Sequence, residues 1–254
     1  MTPVLAVSLI VIALLAGVGI TTVGPGGVFV TAALYELTDL SSAAVAGTAS
    51  ATFVATGFVG SSVYVRSGEL RSGPAREAAV VLSGAGILGA LTGSRMNLLI
   101  SDQLFGYLLA AFLAIIGGLL AYRERVGIKP TGLLGQTDGR RRAVLAIVGG
   151  SIGVLGGLLG VGGPVIAVPT LVALGMPMLR AVAVAQVQSI FLALFATIGY
   201  FTVGAVDVTT AVVVGVPQLI GVLAGWRVAH LVPPRQLRIA LAGVLVAVAA
   251  VITL

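Results

Sequence analysis

Long apolar runs separated by short polar turns set the pattern of this chain. They cover roughly Pro3 to Val23, Ala43 to Val65, Ala75 to Gly93 and Leu104 to Tyr122, then Ala143 to Leu159, Leu179 to Phe201, Thr210 to Ala229 and Leu237 to Leu254. Each is near the roughly 20 residues that a tilted helix needs to cross the bilayer hydrocarbon, which predicts about eight full-length spans. Two shorter apolar pieces, Gly27 to Tyr35 and Gly163 to Leu174, each follow a glycine cluster and read as half-helices. The expected fold is an all-α polytopic integral membrane protein, multi-pass in the cell membrane.

The glycine clusters are the main interruptions. Gly156 to Leu171 reads GGLLGVGGPVIAVPTL, and a weaker copy, Gly24-Pro25-Gly26-Gly27, lies 136 positions earlier. In hydrocarbon a broken helix leaves N–H and C=O groups unpaired. Such a break is tolerated where protein buries it or a cavity borders it, and transporters commonly bind substrate there. Sliding the halves by 136 places Gly24, Gly26 and Gly27 on Gly160, Gly162 and Gly163, and also Ala49 on Ala185, Tyr64 on Tyr200, Gly68 on Gly204 and Gly89 on Gly225. After a three-residue deletion Gln103-Leu104 meets Gln236-Leu237. The division expected is residues 1–122 as a first transmembrane repeat, 123–142 as a basic cytoplasmic connection and 143–254 as a second repeat. Each repeat has a Gly-broken helix, a half-helix and three further helices.

Composition fits this class: 58% of residues are hydrophobic and 9% charged, with a mean hydropathy of +1.17, too little charge to cover a soluble surface. The Val4 to Gly19 run lacks a preceding positive region and a convincing cleavage site, so it is read as a span rather than a signal peptide. The net charge of +6 comes from basic residues between spans. No aromatic-basic platform accompanies them, so contact with the lipid bilayer is expected and nucleic-acid binding is not. With no cysteine and one histidine, neither a metal site nor a cofactor is expected. No Gly-x-Ser-x-Gly elbow, His-Glu-x-x-His pair or Walker loop is present, so the chain is read as a non-enzyme without ATP coupling.

These residues resemble the sulfite exporter TauE/SafE family, also called toluene-sulfonate uptake permeases. The family's break has the form G-G-x-x-G-x-G-G-G followed by an apolar stretch and Pro-x-Leu. Gly156-Gly157, Gly160, Gly162-Gly163 and Pro169-x-Leu171 match it, with Pro164 in place of the last glycine, whereas the first half departs at Pro25 and Ala33. The resemblance covers nearly the whole chain and implies a permease for sulfite, sulfonates or related small anions.

Physical chemistry supplies a parallel argument. The first turn of a half-helix offers unpaired N–H groups carrying partial positive charge, and glycine lets a ligand approach them, which makes an anion site. The expected substrate site therefore comprises Gly24, Gly26, Gly27, Gly160, Gly162 and Gly163. Possible side-chain donors on the helix after each break are Thr48, Ser50, Thr52, Gln186 and Gln188, where helix-to-helix hydrogen bonding is the competing role. On this reading Gly26→Val and Gly162→Val stop flux while leaving folding largely intact. Gly86, Gly89, Gly117 and Gly118 are expected to serve helix packing, Gln218 beside Pro217 is a lesser polar candidate, and His230 is expected at a lipid head group.

The 14 basic residues divide 9 to 5 between the two sides if each half has four crossings, and 13 to 1, with Arg95 alone, if the half-helix turns back. The second agrees better with the positive-inside rule, which predicts inverted repeats with both termini outside. Outward movement of an anion is the expected direction. The alternatives are ion-coupled uptake of another small organic acid, and a membrane scaffold or assembly protein with no substrate. A homo-oligomer is left open.

Overall fold

The computed structural model describes residues 2–126, 138–232 and 234–252. Residues 127–137 of the basic connection, Lys129 among them, lie outside the described residues, as do the last two residues of the final apolar run. The described elements are helical: α1 Pro3–Thr22, α2 Val28–Leu37, α3 Ser42–Ser67, α4 Gly73–Asn97, α5 Asp102–Val126, α6 Asp138–Leu159, α7 Pro164–Ala173, α8 Met178–Phe201, α9 Val208–Leu231 and α10 Pro234–Ile252, with a 3-10 turn at Pro25–Gly27. Seven of them, α1, α3 to α6, α8 and α9, are long and apolar enough to cross a membrane, and α10 is 19 residues long. The helices begin and end where local chemistry dictates. The side chains of Thr2, Ser41 and Asp207 accept hydrogen bonds from N–H groups of the first turns of α1, α3 and α9. Both α5 and α6 extend into the stretch expected to be a connection, since Arg and Glu are good helix formers.

Polar contacts fix which helix ends lie together. Glu77 near the start of α4 pairs with Arg141 and Arg142 near the start of α6, and Glu69 between α3 and α4 meets His230 at the end of α9 at 3.4 Å. We refer to this as the basic end. At the opposite end Arg95 reaches Thr202 at 3.5 Å, and the Asp102 carboxylate accepts from the Ser42 N–H at 2.6 Å. Helices α4 and α6 run in the same direction, with Leu82 beside Gly149, Ala90 beside Gly157 and the Asn97 amide on the Leu158 carbonyl. Helices α1 and α9 also share a direction, Leu14 lying beside Gly221 and Thr21 beside Gly225, whereas α3 and α8 are antiparallel. It follows that α1 runs toward the basic end and α6 away from it.

Small residues allow these close approaches. A Cβ on Gly89 would stand 2.3 Å from the Gly150 carbonyl oxygen, and one on Gly153 2.2 Å from that of Gly86, so the α4–α6 interface is held by backbone packing. Among the described residues Gly118 has no neighbour within 4 Å of its Cβ position, unlike Gly86, Gly89 and Gly117.

Two buried tyrosines tie the ends of the broken helices. The Tyr64 hydroxyl donates to the Thr21 carbonyl at 2.6 Å, and the Tyr200 hydroxyl donates to the Gly157 carbonyl, also at 2.6 Å. Both acceptors lie in the last turn of a helix that ends at a break, where carbonyls have no intrahelical partner, and both pairs are separated by 43 residues. Tyr64→Phe and Tyr200→Phe are each expected to cost about 1–2 kcal/mol. Being well separated, the losses should add in the double variant. Thermal unfolding in detergent checks this, and an unchanged melting temperature in both single variants would show that neither bond supports the breaks.

Candidate functional site

The two breaks meet at the centre of the bundle. Helix α6 stops just before Gly160 (φ +61°), and the chain passes through Gly162 (φ +76°) before Pro164 opens α7. The first bond of α7 runs from the Ala167 N–H to the Gly163 carbonyl at 3.0 Å. The N–H groups of Gly163, Val165 and Ile166 therefore precede the helical ladder, and Pro164 has no N–H to leave unpaired. The first break is built differently. Gly24 (φ +104°) is followed by the 3-10 turn Pro25–Gly27, which continues into α2.

The glycines separate into two kinds. A Cβ on Gly26 would lie 2.3 Å from the Ala16 carbonyl oxygen and 2.3 Å from the Ile20 nitrogen. On Gly160 it would lie 2.5 Å from the Ala46 Cα, and on Gly24 2.6 Å from the Val168 side chain. These three are close-approach positions, and the expectation that Gly26→Val leaves folding intact is corrected: a branched side chain there would collide with the backbone of α1. Gly27 and Gly162 instead face the Phe53 ring, and Gly163 faces Gln188 and Ser189 of α8. A Cβ on Gly27 would meet the Phe53 ring at 2.9 Å, one on Gly162 the same ring at 3.3 Å, and one on Gly163 would stand 3.5 Å from Ser189 and 3.6 Å from the Gln188 Oε1.

The polar side chains separate in the same way. Gln188 is fully buried, and neither atom of its amide has a partner among the described residues. Ser50 lines a void beside Gly162. Thr48 is engaged elsewhere, its hydroxyl accepting from the Asp207 N–H at 2.9 Å. Thr52 donates to the Ala49 carbonyl at 2.8 Å and turns its methyl toward Gly215 of α9. Gln186 donates to the Ile20 carbonyl at 3.2 Å, tying α8 to the end of α1. The structure thus places Gly24, Gly27 and Gly162 on one void, Ser50 and Gly162 on another, and Gln188 beside Gly163. Sequence reasoning missed Phe53, Thr56 and Ser189, of which the 136-residue offset pairs Phe53 with Ser189. It also missed Thr31, whose hydroxyl donates to the Gly160 carbonyl and braces the second break from α2.

Two voids of about 10 Å³ flank Phe53, one touching Gly24, Gly27, Thr56, Gly162 and Ser189, the other Ser50, Gly156, Gly162 and Ala196. Each is about the space of one water molecule. The polar side chains buried among the described residues are Ser, Thr, Asn and Gln, so the centre of the bundle offers neutral donors and helix-terminal N–H groups and no carboxylate. His230 is exposed in the last turn of α9. Its Nδ1 lies 2.8 Å from the Trp226 carbonyl and its ring stacks on Tyr64 at 6.5 Å. Gln218 is buried on α9 with its amide unpartnered among the described residues.

A sequence model described as sulfite exporter TauE/SafE matches residues 6–252. The chain belongs to the sulfite exporter TauE/SafE family. It is a multi-pass membrane transporter, and the family match spans both breaks. The chain is also similar to the probable membrane transporter protein YdhB of Bacillus subtilis (strain 168), with 26% identity over 235 residues, covering 92% of this chain and 94% of that protein. No solved structure matches it.

Proposed function

We propose that this TauE/SafE transporter is a permease that carries a small oxyanion, sulfite or a related sulfur-containing anion, outward through a site between the two breaks. The observation that carries the reading is the buried amide of Gln188, without a partner among the described residues, beside Gly163 and the N–H groups that precede the helical ladder of α7. A buried amide left without partners costs about 1–3 kcal/mol. Its retention is explained if a ligand completes it. An anion there accepts from the Gly163, Val165 and Ile166 N–H groups and the Gln188 Nε2, and its charge is matched by the N-terminal end of the helix dipole.

Inverted repeats are supported by the opposite directions of α1 and α6 and by the matched tyrosine bonds at their ends. In that arrangement the basic end, bearing Arg141, Arg142 and Glu77, is cytoplasmic, Arg95 lies outside, and the two repeats rock about the breaks. A reporter active only in the cytoplasm, fused after Leu254, stays silent in this topology; activity there would reverse it. Export needs no coupling ion, because a potential of about 100 mV, negative inside, contributes roughly 2.3 kcal/mol per charge leaving the cell. Proteoliposomes loaded with sulfite should lose it faster when the interior is made negative by a potassium gradient and ionophore. Efflux equal to that of protein-free vesicles would reject the reading.

A further inference from the structure

Phe53 is the twelfth of the 26 residues of α3, midway between the two ends of the bundle, and its side chain is buried with only 2% exposure. Its ring is wedged between the breaks, with the Cε1–Cζ edge toward Gly27 and the Cδ2–Cε2 edge toward Gly162. Glycine at both positions leaves room for the ring. The two voids lie on opposite sides of it along α3. The void that includes Thr56, one turn onward, faces the basic end, and the void that includes Ser50, one turn back, faces the Arg95 end. Ser50, Phe53 and Thr56 are spaced by three residues and share a helix face, so a hydroxyl, an aromatic ring and a second hydroxyl succeed one another along one line. Phe53 and Gly162 border both voids. The backbone at Gly162 is fixed by the turn, whereas a phenylalanine side chain moves by rotamer change.

We propose that Phe53 is the barrier of the transport path. Its ring separates a compartment open toward the basic end from one open toward the Arg95 end, and its displacement joins them. This rests on the reading of the breaks as the anion path, and it adds that the barrier comes from one repeat only, since the 136-residue offset puts Ser189 at the matching place in α8. Removing the ring merges the voids beneath Ser189, and a bulkier ring keeps them apart.

The test uses the natural absence of cysteine. Ser189→Cys is made alone and combined with Phe53→Ala, both proteins are reconstituted in vesicles, and labelling by a small anionic methanethiosulfonate added from the Arg95 side, across Phe53 from Ser189, is timed. The barrier predicts labelling about tenfold or more faster with alanine at position 53, and slow labelling again with Phe53→Trp. Equal rates with phenylalanine and alanine overturn the proposal. Should Phe53→Ala not fold, as judged by size-exclusion chromatography, Phe53→Leu takes its place with a smaller acceleration expected, and an unchanged rate there overturns it equally. The labelling involves no sulfite. Acceleration in a protein that carries no sulfite would uphold the barrier and reject the sulfite reading, while unchanged labelling in a working sulfite carrier would reject the barrier alone.

Discussion

Gly160→Val is expected to prevent assembly of the protein, whereas Gly163→Ala, three residues on, is expected to fold normally and lose about nine-tenths or more of its sulfite flux. At Gly160 the backbone is left-handed (φ +61°) and a Cβ would stand 2.5 Å from Cα and 2.6 Å from the carbonyl oxygen of Ala46 on α3. Strain and collision combine, and neither neighbour is a side chain that could move aside. A loss on the order of 4 kcal/mol or more follows, visible as aggregation in size-exclusion chromatography. Gly163 has φ −63° and ψ −43°, which alanine adopts freely, and its Cβ would lie 3.5 Å from Ser189 and 3.6 Å from the Gln188 Oε1. Those are ordinary contacts, so stability should change by less than about 1 kcal/mol. The added methyl nevertheless occupies the space where an anion must approach the first turn of α7. Normal flux by a well-folded Gly163→Ala protein would make that glycine a packing device.

The positions of the ten described helices were legible because every span is a contiguous apolar run and the breaks are written in glycine. The paired tyrosines were legible as residues, and their hydrogen bonds supply the reason they recur. The inner faces of the helices were not legible. Thr52 and Phe53 are neighbours on α3, separated by about 100° around the helix axis. In a soluble protein the hydrophobic side of the helix would distinguish them. In a membrane protein the lipid-facing surface and the protein-facing surface are both apolar, so the sequence admits Thr52 as a donor to the anion, whereas it turns toward α9 and Phe53 faces the breaks. Pro25 was visible as a departure from the family pattern. Its consequence, a 3-10 turn that pulls Gly26 against α1, depends on a tertiary contact that no local pattern encodes.

Gln188→Leu carries the second large effect, and it acts in opposite directions on stability and function. The amide is fully buried without partners among the described residues, so leucine, of similar size, removes an unmet demand for hydrogen bonds. The variant should melt at the same temperature as the parent protein or higher. Hydrogen bonds to charged groups are worth about 1.5–3 kcal/mol, which corresponds to a loss of about ten- to a hundredfold in transport. Gln186→Leu is the contrast: its amide donates to the Ile20 carbonyl, so the same change there should lower the melting temperature.

Equilibrium binding of radiolabelled sulfite to the purified protein, compared between the parent chain and Gln188→Leu, tests the claim that the breaks hold the anion. The parent chain should bind saturably, with one site per chain, and the variant should show affinity about tenfold or more weaker while remaining folded. Saturable binding of equal strength in the two proteins would place the anion elsewhere, and no saturable binding in the parent chain would contradict a sulfite site altogether.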